Sequence, residues 1–115
     1  AVHRFGVTKP ERADAFALAL QNILGLVCDP VGGLVEVPCV KRNAFHAVHA
    51  LVAVEMVMNG VKSAIPADEV ISAMADVGRR LPVELKETSR AGLAMTETGK
   101  RIQAKLDEKA KHLGC

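Results

Sequence analysis

The sequence contains no tryptophan and no tyrosine, and only three of its 115 residues are phenylalanine. Since half of the residues are hydrophobic, the core must be built from alanine, valine, leucine, isoleucine and methionine. Such an aliphatic composition is typical of closely packed helices. A chain of this length forms one domain at most.

The chain also has little excess of charge of either sign. It has 15 basic and 13 acidic residues, which give a formal net charge of +2. Domains that bind nucleic acid usually carry a basic face and often stacking aromatic side chains, so we expect no nucleic-acid partner. The most apolar stretch, AFHAVHALVAVEMVM, is interrupted by His46, His49 and Glu55, so we expect no membrane span.

Cysteine is scarce, and its count is odd. The three cysteines are Cys28, Cys39 and Cys115, and the first residues lack the plan of a secretory signal. This usage favours reduced thiols and predicts a cytoplasmic protein. Reduced thiols are usually small buried residues, and sometimes they are metal ligands or nucleophiles.

Helix signals divide the chain into four main segments. The sequence Thr8-Lys9-Pro10-Glu11 is a capping box that predicts a helix from about Lys9 to Leu26. A second helix is expected to start near Cys39 to Lys41 and to end at about Met58, before an Asn-Gly stop. The third is PADEVISAMADVGRRL, residues 66–81, and the last spans about residues 97–112.

The segments between these helices carry different signals. Residues 33–37 could form a short extended piece, and residues 87–99 are typical of a loop rich in hydroxyl groups and glycine. The second helix is apolar nearly all round, which predicts a central, buried helix. The first helix has one apolar face, made of Phe16, Ala19, Leu20, Ile23, Leu24 and Val27. We therefore predict an all-α fold of four to five packed helices, with a Pro/Gly-rich cysteine loop between helices 1 and 2.

The cysteine loop, CDPVGGLVEVPC, spans residues 28–39. Its prolines stiffen the loop, and its glycines let backbone N–H groups approach sulfur closely. Cys39 precedes a helix, so the helix N-terminus together with Lys41 and Arg42 would stabilise a thiolate there. Cys28 follows a helix C-terminus, so a metal would have to stabilise its thiolate.

Two other interpretations of the cysteines stay open at this point. Both can be ordinary buried thiols in a helical module that binds no metal. Alternatively, Cys28 and Cys39 can join His46 and His49, which lie three residues apart on one helix face, in a Cys2His2 zinc site.

Two polar clusters are candidates for binding a substrate. Arg42 and Asn43 lie in the first turn after the cysteine loop, where arginine could hold a carboxylate through two parallel hydrogen bonds. The segment KETSRAG, residues 86–92, offers Thr88, Ser89 and Arg90 for anion recognition, although a plain surface loop has the same composition.

The sequence resembles a known family from about Pro10 to Arg101. The stretch LGLVCDPVGGLVEVPCVKRNA, residues 24–44, is similar to the cysteine motif of the iron–sulfur L-serine dehydratases, in the C-terminal part of their α chain or α domain. The stretches GVKSAIPADEVISAM and KETSRAGLAMTETGK follow in the order expected of that family. The sequence is more similar to the family members in which α and β are separate chains than to those in which they are fused.

The resemblance implies a [4Fe-4S] cluster that acts as a Lewis acid. Cys28 and Cys39 match two of three core cluster ligands, and the family's third core cysteine lies upstream of the motif. We therefore expect this chain to be the C-terminal part of a longer α chain and to be inactive in isolation. Cys115 can be a further ligand, as a terminal cysteine is in some fused members, or it can be a free thiol.

The implied reaction is the dehydration and deamination of L-serine to pyruvate and ammonia. The implied partners are L-serine and a β subunit or β domain, in a dimer of αβ units. Arg42 is expected to bind the substrate carboxylate or to compensate cluster charge, with Asn43, Thr88, Ser89 and Arg90 as secondary candidates. No residue is assigned as the general base. Threonine or another β-substituted amino acid could replace serine, because one methyl group changes pocket preference only modestly.

Overall fold

The computed structural model describes residues 6–33 and 36–112. Over these residues the chain forms four α-helices and no strand, which confirms the prediction of an all-α fold. The helices are α1 (Lys9–Gln21), α2 (Lys41–Met58), α3 (Ala67–Arg80) and α4 (Glu97–His112). Glu36–Val40 forms a π-helical turn, and Val83–Leu85 and Gly92–Met95 form 3-10 turns. In the part of the chain that is described, no helix is long and apolar enough to cross a membrane.

Helix α1 begins at the predicted capping box. The backbone N–H and the Oγ1 hydroxyl of Thr8 both donate to the carboxylate of Glu11, at 2.7 Å each. These hydrogen bonds, the one from the hydroxyl first, lower the pKa of Glu11. Pro10 lies in the first turn, where its missing N–H would have no intrahelical partner.

The predicted end of the first helix at Leu26 is wrong. Helix α1 ends at Gln21, with Asn22 as its C-cap. Beyond this point, bonds from Ile23 N to Leu20 O (3.1 Å) and from Leu26 N to Ile23 O (3.3 Å) span three residues rather than four. Gly25 then takes a φ of +71°. Tight turns therefore replace the last turns of the helix, although apolar residues continue at helical spacing.

The entry to helix α2 differs from the predicted extended piece. Residues 34 and 35 lie outside the described part, and Glu36–Val40 forms a π-helical turn that runs directly into α2. Pro38 is tolerated there because the first N–H groups of a helical segment have no intrahelical acceptor. The predicted end of α2 at Met58 is confirmed, and Gly60 takes a φ of +87° just beyond it.

The chain divides into two compact units. The first consists of the chain up to Leu26 together with Ala44–Arg80, and the second consists of Val27–Asn43 and the chain from Leu81 onward. In the first unit, α1 packs against α3, and Ala15 of α1 meets Val54 and Val57 of α2 in a small apolar core. The Ser63 segment is joined to α1, because Gln21 Nε2 donates to Ser63 Oγ (2.7 Å) and Ser63 N donates to Asp14 Oδ1 (3.2 Å).

The prediction that α2 is buried all round is wrong. Of its residues, only Ala53, Val54 and Val57 are buried, whereas Phe45 is 76% exposed and Val48 is 60% exposed. The apolar face predicted for the first helix is also only partly covered, since α1 buries Ala15 and Ala17. Phe16 and Leu24, both predicted to lie on that face, are 49% and 37% exposed. Apolar sequence shows which surfaces favour burial, but the first unit holds too few elements to cover them.

The second unit is built around the cysteine loop and the segment after α3. The predicted loop at residues 87–99 contains the 3-10 turn Gly92–Met95, and this turn packs against α4. Gly99 of α4 is buried at this contact. A Cβ atom on Gly99 would lie 2.5 Å from the carbonyl oxygen of Leu93 and 2.7 Å from that of Ala94. Only glycine lets the helix approach the turn this closely.

Candidate functional site

The backbone of Cys28 is held by the last residue of the first 3-10 turn and by the residues that follow it. Cys28 N donates to Leu85 O at 2.9 Å, and Glu87 N donates to Cys28 O at 2.8 Å. This pair of bonds makes an isolated parallel bridge between Cys28 and Lys86. The two polar segments singled out in the sequence, the cysteine loop and residues 86–92, therefore pair directly with one another within the second unit.

The side chains of Cys28 and Cys39 lie near one another. Cys39 is in the π-helical turn before α2. Both thiols are half-buried and unoxidised. Burial raises the pKa of the Cys28 thiol, and the nearby Cys39, Glu87 and Asp29 raise it further. The raised pKa means that the Cys28 thiol ionises less readily than a free cysteine, and its causes are burial and negative neighbours.

Asp29, the residue after Cys28, is a buried carboxylate that the sequence interpretation missed. It is 1% exposed, its Oδ1 pairs with Nη1 of Arg42, and its Oδ2 accepts a hydrogen bond from Leu93 N at 2.7 Å. Burial alone would raise the pKa of Asp29, but the bonds from Arg42 and Leu93 outweigh it and lower the pKa. The sequence did contain a signal for this ion pair, namely an acidic residue inside a Pro/Gly-rich loop and an arginine just after the loop.

Arg42 is occupied by the loop rather than free at its surface. The same Nη1 that pairs with Asp29 also donates to Val27 O at 3.0 Å. Its side chain is 25% exposed. The guanidinium therefore ties the first turn of α2 to the residues on both sides of Cys28. This contact fixes the spacing between the two cysteine-bearing segments.

The hydroxyl-rich segment is shaped around the same loop. Ser89 Oγ donates to Pro30 O at 2.7 Å, and Thr88 Oγ1 donates to Glu84 O at 2.7 Å. Glu87 and Ser89 have φ values of +61° and +54°, which residues with side chains rarely adopt. Such strained backbone persists only where surrounding contacts hold it, and it is concentrated at functional sites.

Gly92 completes the enclosure of Asp29. It takes a φ of +61°, and a Cβ atom there would lie 2.9 Å from both Cβ and Cγ of Asp29. The backbone can therefore close over the carboxylate only because residue 92 has no side chain. Of the other predicted site residues, Asn43 and Arg90 are exposed.

The two histidines of the zinc hypothesis, His46 and His49, lie on α2 in the first unit. Among residues 6–33 and 36–112, no group of three or more His, Cys, Asp and Glu side chains is placed to hold a metal ion. His49 Nε2 lies 3.1 Å from Asn22 Nδ2. His46 Nε2 is buried, and no described residue forms a hydrogen bond with it. Cys115 lies outside the described residues.

Comparison with known proteins places these features in a family. The family model for the serine dehydratase alpha chain matches residues 1–94. A probable L-serine dehydratase alpha chain of Bacillus subtilis is 51% identical over 105 residues, which are 91% of this chain and 35% of that protein. The corresponding chain of Latilactobacillus sakei is 57% identical over 99 residues, which are 86% of this chain and 47% of that protein.

A third relative has a lower sequence identity to this chain. The L-serine dehydratase alpha chain of Peptoniphilus asaccharolyticus is 40% identical over 102 residues, which are 89% of this chain and 35% of that protein. This chain thus spans between 35% and 47% of the length of these relatives. No solved structure matches it significantly. Since the family model covers most of its length, the chain belongs to the serine dehydratase alpha-chain family.

Proposed function

We propose that this chain supplies part of the active site of an iron–sulfur L-serine dehydratase, which converts L-serine to pyruvate and ammonia. The observation that carries the proposal is the proximity of Cys28 and Cys39 in the second unit. These residues lie in a loop whose backbone is fixed by hydrogen bonds on both sides of Cys28. Two adjacent, half-buried thiols on a braced loop suit ligation of a metal centre.

The cysteine pair fits the chemistry of a [4Fe-4S] cluster. Cys28 and Cys39 would provide two thiolates, and a further cysteine would provide the third. That cysteine would be Cys115 or one from α-chain sequence beyond this chain. When bound, a cluster with one iron free of cysteine supplies a Lewis acid for loss of the β-hydroxyl group. Because the pKa of Cys28 is raised, its thiol must give up a proton when it becomes a ligand.

The remaining residues hold the loop and offer contacts to the substrate. The Asp29–Arg42 pair and the Ser89–Pro30 bond position the loop. Since Arg42 is committed to Asp29, Arg90 becomes the better candidate for the serine carboxylate. Arg90 and Asn43 are exposed, and within the described residues their side chains make no hydrogen bond or ion pair. The guanidinium of Arg90 could bind a carboxylate through two parallel bonds.

The whole enzyme requires more than this chain. We propose a β subunit as the partner, in a dimer of αβ units, because the relatives are described as alpha chains. The free thiols of Cys28 and Cys39 agree with a reducing compartment, for which we propose the cytoplasm.

The proposed activity can be tested in a complete α chain that contains this sequence, assembled anaerobically with its β chain. Pyruvate formation from L-serine should be abolished by Cys28→Ser and by Cys39→Ser. Arg90→Gln should raise KM for L-serine at least tenfold, whereas Arg80→Gln, a surface arginine of α3 paired with Asp76, should leave it unchanged. Comparing kcat/KM for L-serine and L-threonine identifies the preferred substrate. Full activity in both cysteine variants would refute the proposal.

A further inference from the structure

Glu87 is a charged residue held directly against the backbone of Cys28. Its N–H donates to the carbonyl oxygen of Cys28 at 2.8 Å. Its φ of +61° lies in the left-handed region, which a residue with a long side chain rarely adopts. Since this backbone conformation costs free energy, the surrounding contacts must hold it. Glu87 therefore has a fixed place beside the cysteine loop, although the residue is exposed.

The carboxylate of Glu87 has no partner within residues 6–33 and 36–112. Its side chain makes no hydrogen bond and no ion pair there. Burial is the largest cause of the raised pKa of the Cys28 thiol, and the nearby charge of Glu87 raises that pKa further. Asp29 also raises it, but the two oxygens of Asp29 are occupied by Arg42 and Leu93 N. Of these two acids beside Cys28, Glu87 is therefore the one that can accept a ligand.

The substrate of the proposed reaction needs such an acid. L-Serine carries a carboxylate, a hydroxyl and an ammonium group. Arg90 is the candidate for the carboxylate, and the metal centre at the cysteines is the candidate for the hydroxyl. Placing the ammonium in a site without a negatively charged partner would cost its hydration, whereas hydrogen bonds from an ammonium to a carboxylate are about twice as strong as neutral ones. Because Arg90 follows Glu87 by three residues, one segment offers a partner to each charged end of the amino acid.

We propose that Glu87 binds the α-ammonium group of the substrate and so makes the site specific for amino acids over hydroxy acids. This inference rests on the proposed function. L-Glycerate is the probe that isolates the contact, because it differs from L-serine only in having a hydroxyl group in place of the ammonium. The two molecules have nearly the same shape, so a preference between them measures the interaction with the charge of Glu87.

The test uses a complete α chain that contains this sequence, assembled anaerobically with its β chain. KM is measured for L-serine, and L-glycerate is measured as a competitive inhibitor of that reaction. Glu87→Gln should raise KM for L-serine at least about tenfold, because a hydrogen bond to a charged group is lost, and should not weaken binding of L-glycerate. The value of kcat should change less than KM, because the contact is present in both the ground state and the transition state.

Three further variants serve as controls. Glu87→Asp keeps the charge and should recover part of the affinity for L-serine. Arg90→Gln should weaken L-serine and L-glycerate alike, since both carry the carboxylate. Glu84→Gln removes an exposed carboxylate of the preceding 3-10 turn and should change neither constant.

Iron content and visible absorption should be the same in the wild type and in Glu87→Gln. Loss of iron from this variant would overturn the assignment, because Glu87 would then hold the metal site rather than the substrate. An unchanged KM for L-serine in Glu87→Gln would also overturn it, as would equal weakening of L-serine and L-glycerate, the result of a structural role alone. Absence of pyruvate formation by the wild type would refute the proposed function itself, and the assignment of Glu87 with it.

Discussion

Removing the charge of Asp29 should strongly destabilise the second unit, because the guanidinium of Arg42 would lose its partner. Asp29→Asn keeps the size of the side chain and its ability to accept a hydrogen bond from Leu93 N, but it removes the charge. Breaking a buried pair by neutralising one partner costs about 3–5 kcal/mol. Since the Arg42 side chain keeps 25% exposure, its charge is partly solvated, and we expect a loss at the lower end, about 3 kcal/mol.

The pH dependence of this loss has a definite sign. The pKa of Asp29 is lowered in the folded state, so its ionised form stabilises the fold above the pKa of an unfolded aspartate, about 4. That contribution disappears as pH falls through the lower folded-state pKa. The stability difference between wild type and Asp29→Asn should therefore be full at pH 7 and should shrink as pH falls below about 4.

Urea unfolding followed by far-ultraviolet circular dichroism measures this difference. The matched control is Asp76→Asn, which alters a surface carboxylate of α3 that is 45% exposed and bonded to Arg80 at 2.8 Å. Exposed pairs contribute about 0–1 kcal/mol, so the control should change little. A loss below about 1 kcal/mol for Asp29→Asn at pH 7, or a loss that persists unchanged at low pH, would refute the reasoning.

Three further predictions concern glycine packing and thiol ionisation. Gly99→Ala should lower the free energy of unfolding by about 1–3 kcal/mol, because its Cβ would overlap backbone carbonyls, and thermal unfolding would detect this. The control is Gly78→Ala on α3, where no atom lies within 4 Å of the added Cβ; this change should raise the free energy of unfolding by about 0.5–1 kcal/mol. An equal loss of unfolding free energy in both variants would contradict the packing argument. The rate at which iodoacetamide alkylates Cys28 can be followed against pH by peptide mass spectrometry. The midpoint of this pH dependence should lie higher in the folded chain than in urea, because folding raises the pKa of Cys28. A midpoint at equal or lower pH would count against the site geometry.

Helices α2, α3 and α4 could be predicted from the sequence almost to the residue. Their ends are fixed by local chemistry, such as the glycine after Met58 and the proline before Ala67. The end of α1 was not predictable in this way, because the apolar spacing continues past Gln21 while the backbone changes to three-residue turns. A local pattern therefore predicts a helix end only where a residue prevents the helix from continuing.

The candidate site was also only partly predictable from the sequence. The cysteines and the hydroxyl-rich segment could be selected from residue type, but their pairing joins residues about 60 positions apart, as in the bond from Ser89 to Pro30. The role of Arg42 depended on a second contact, the ion pair with Asp29 inside the cysteine loop.

The most direct test of the central claim is anaerobic reconstitution of this chain with ferrous iron, sulfide and dithiothreitol, the last supplying thiol for any remaining coordination. Iron and sulfide per chain and the visible thiolate-to-iron absorption would be compared for wild type, Cys28→Ser, Cys39→Ser and Cys115→Ser. The account predicts about four iron and four sulfide atoms per wild-type chain and loss of the absorption in the first two variants. The Cys115 variant then decides whether this residue is a further ligand. Uptake of zinc alone, or equal iron uptake by the wild type, Cys28→Ser and Cys39→Ser, would contradict the account.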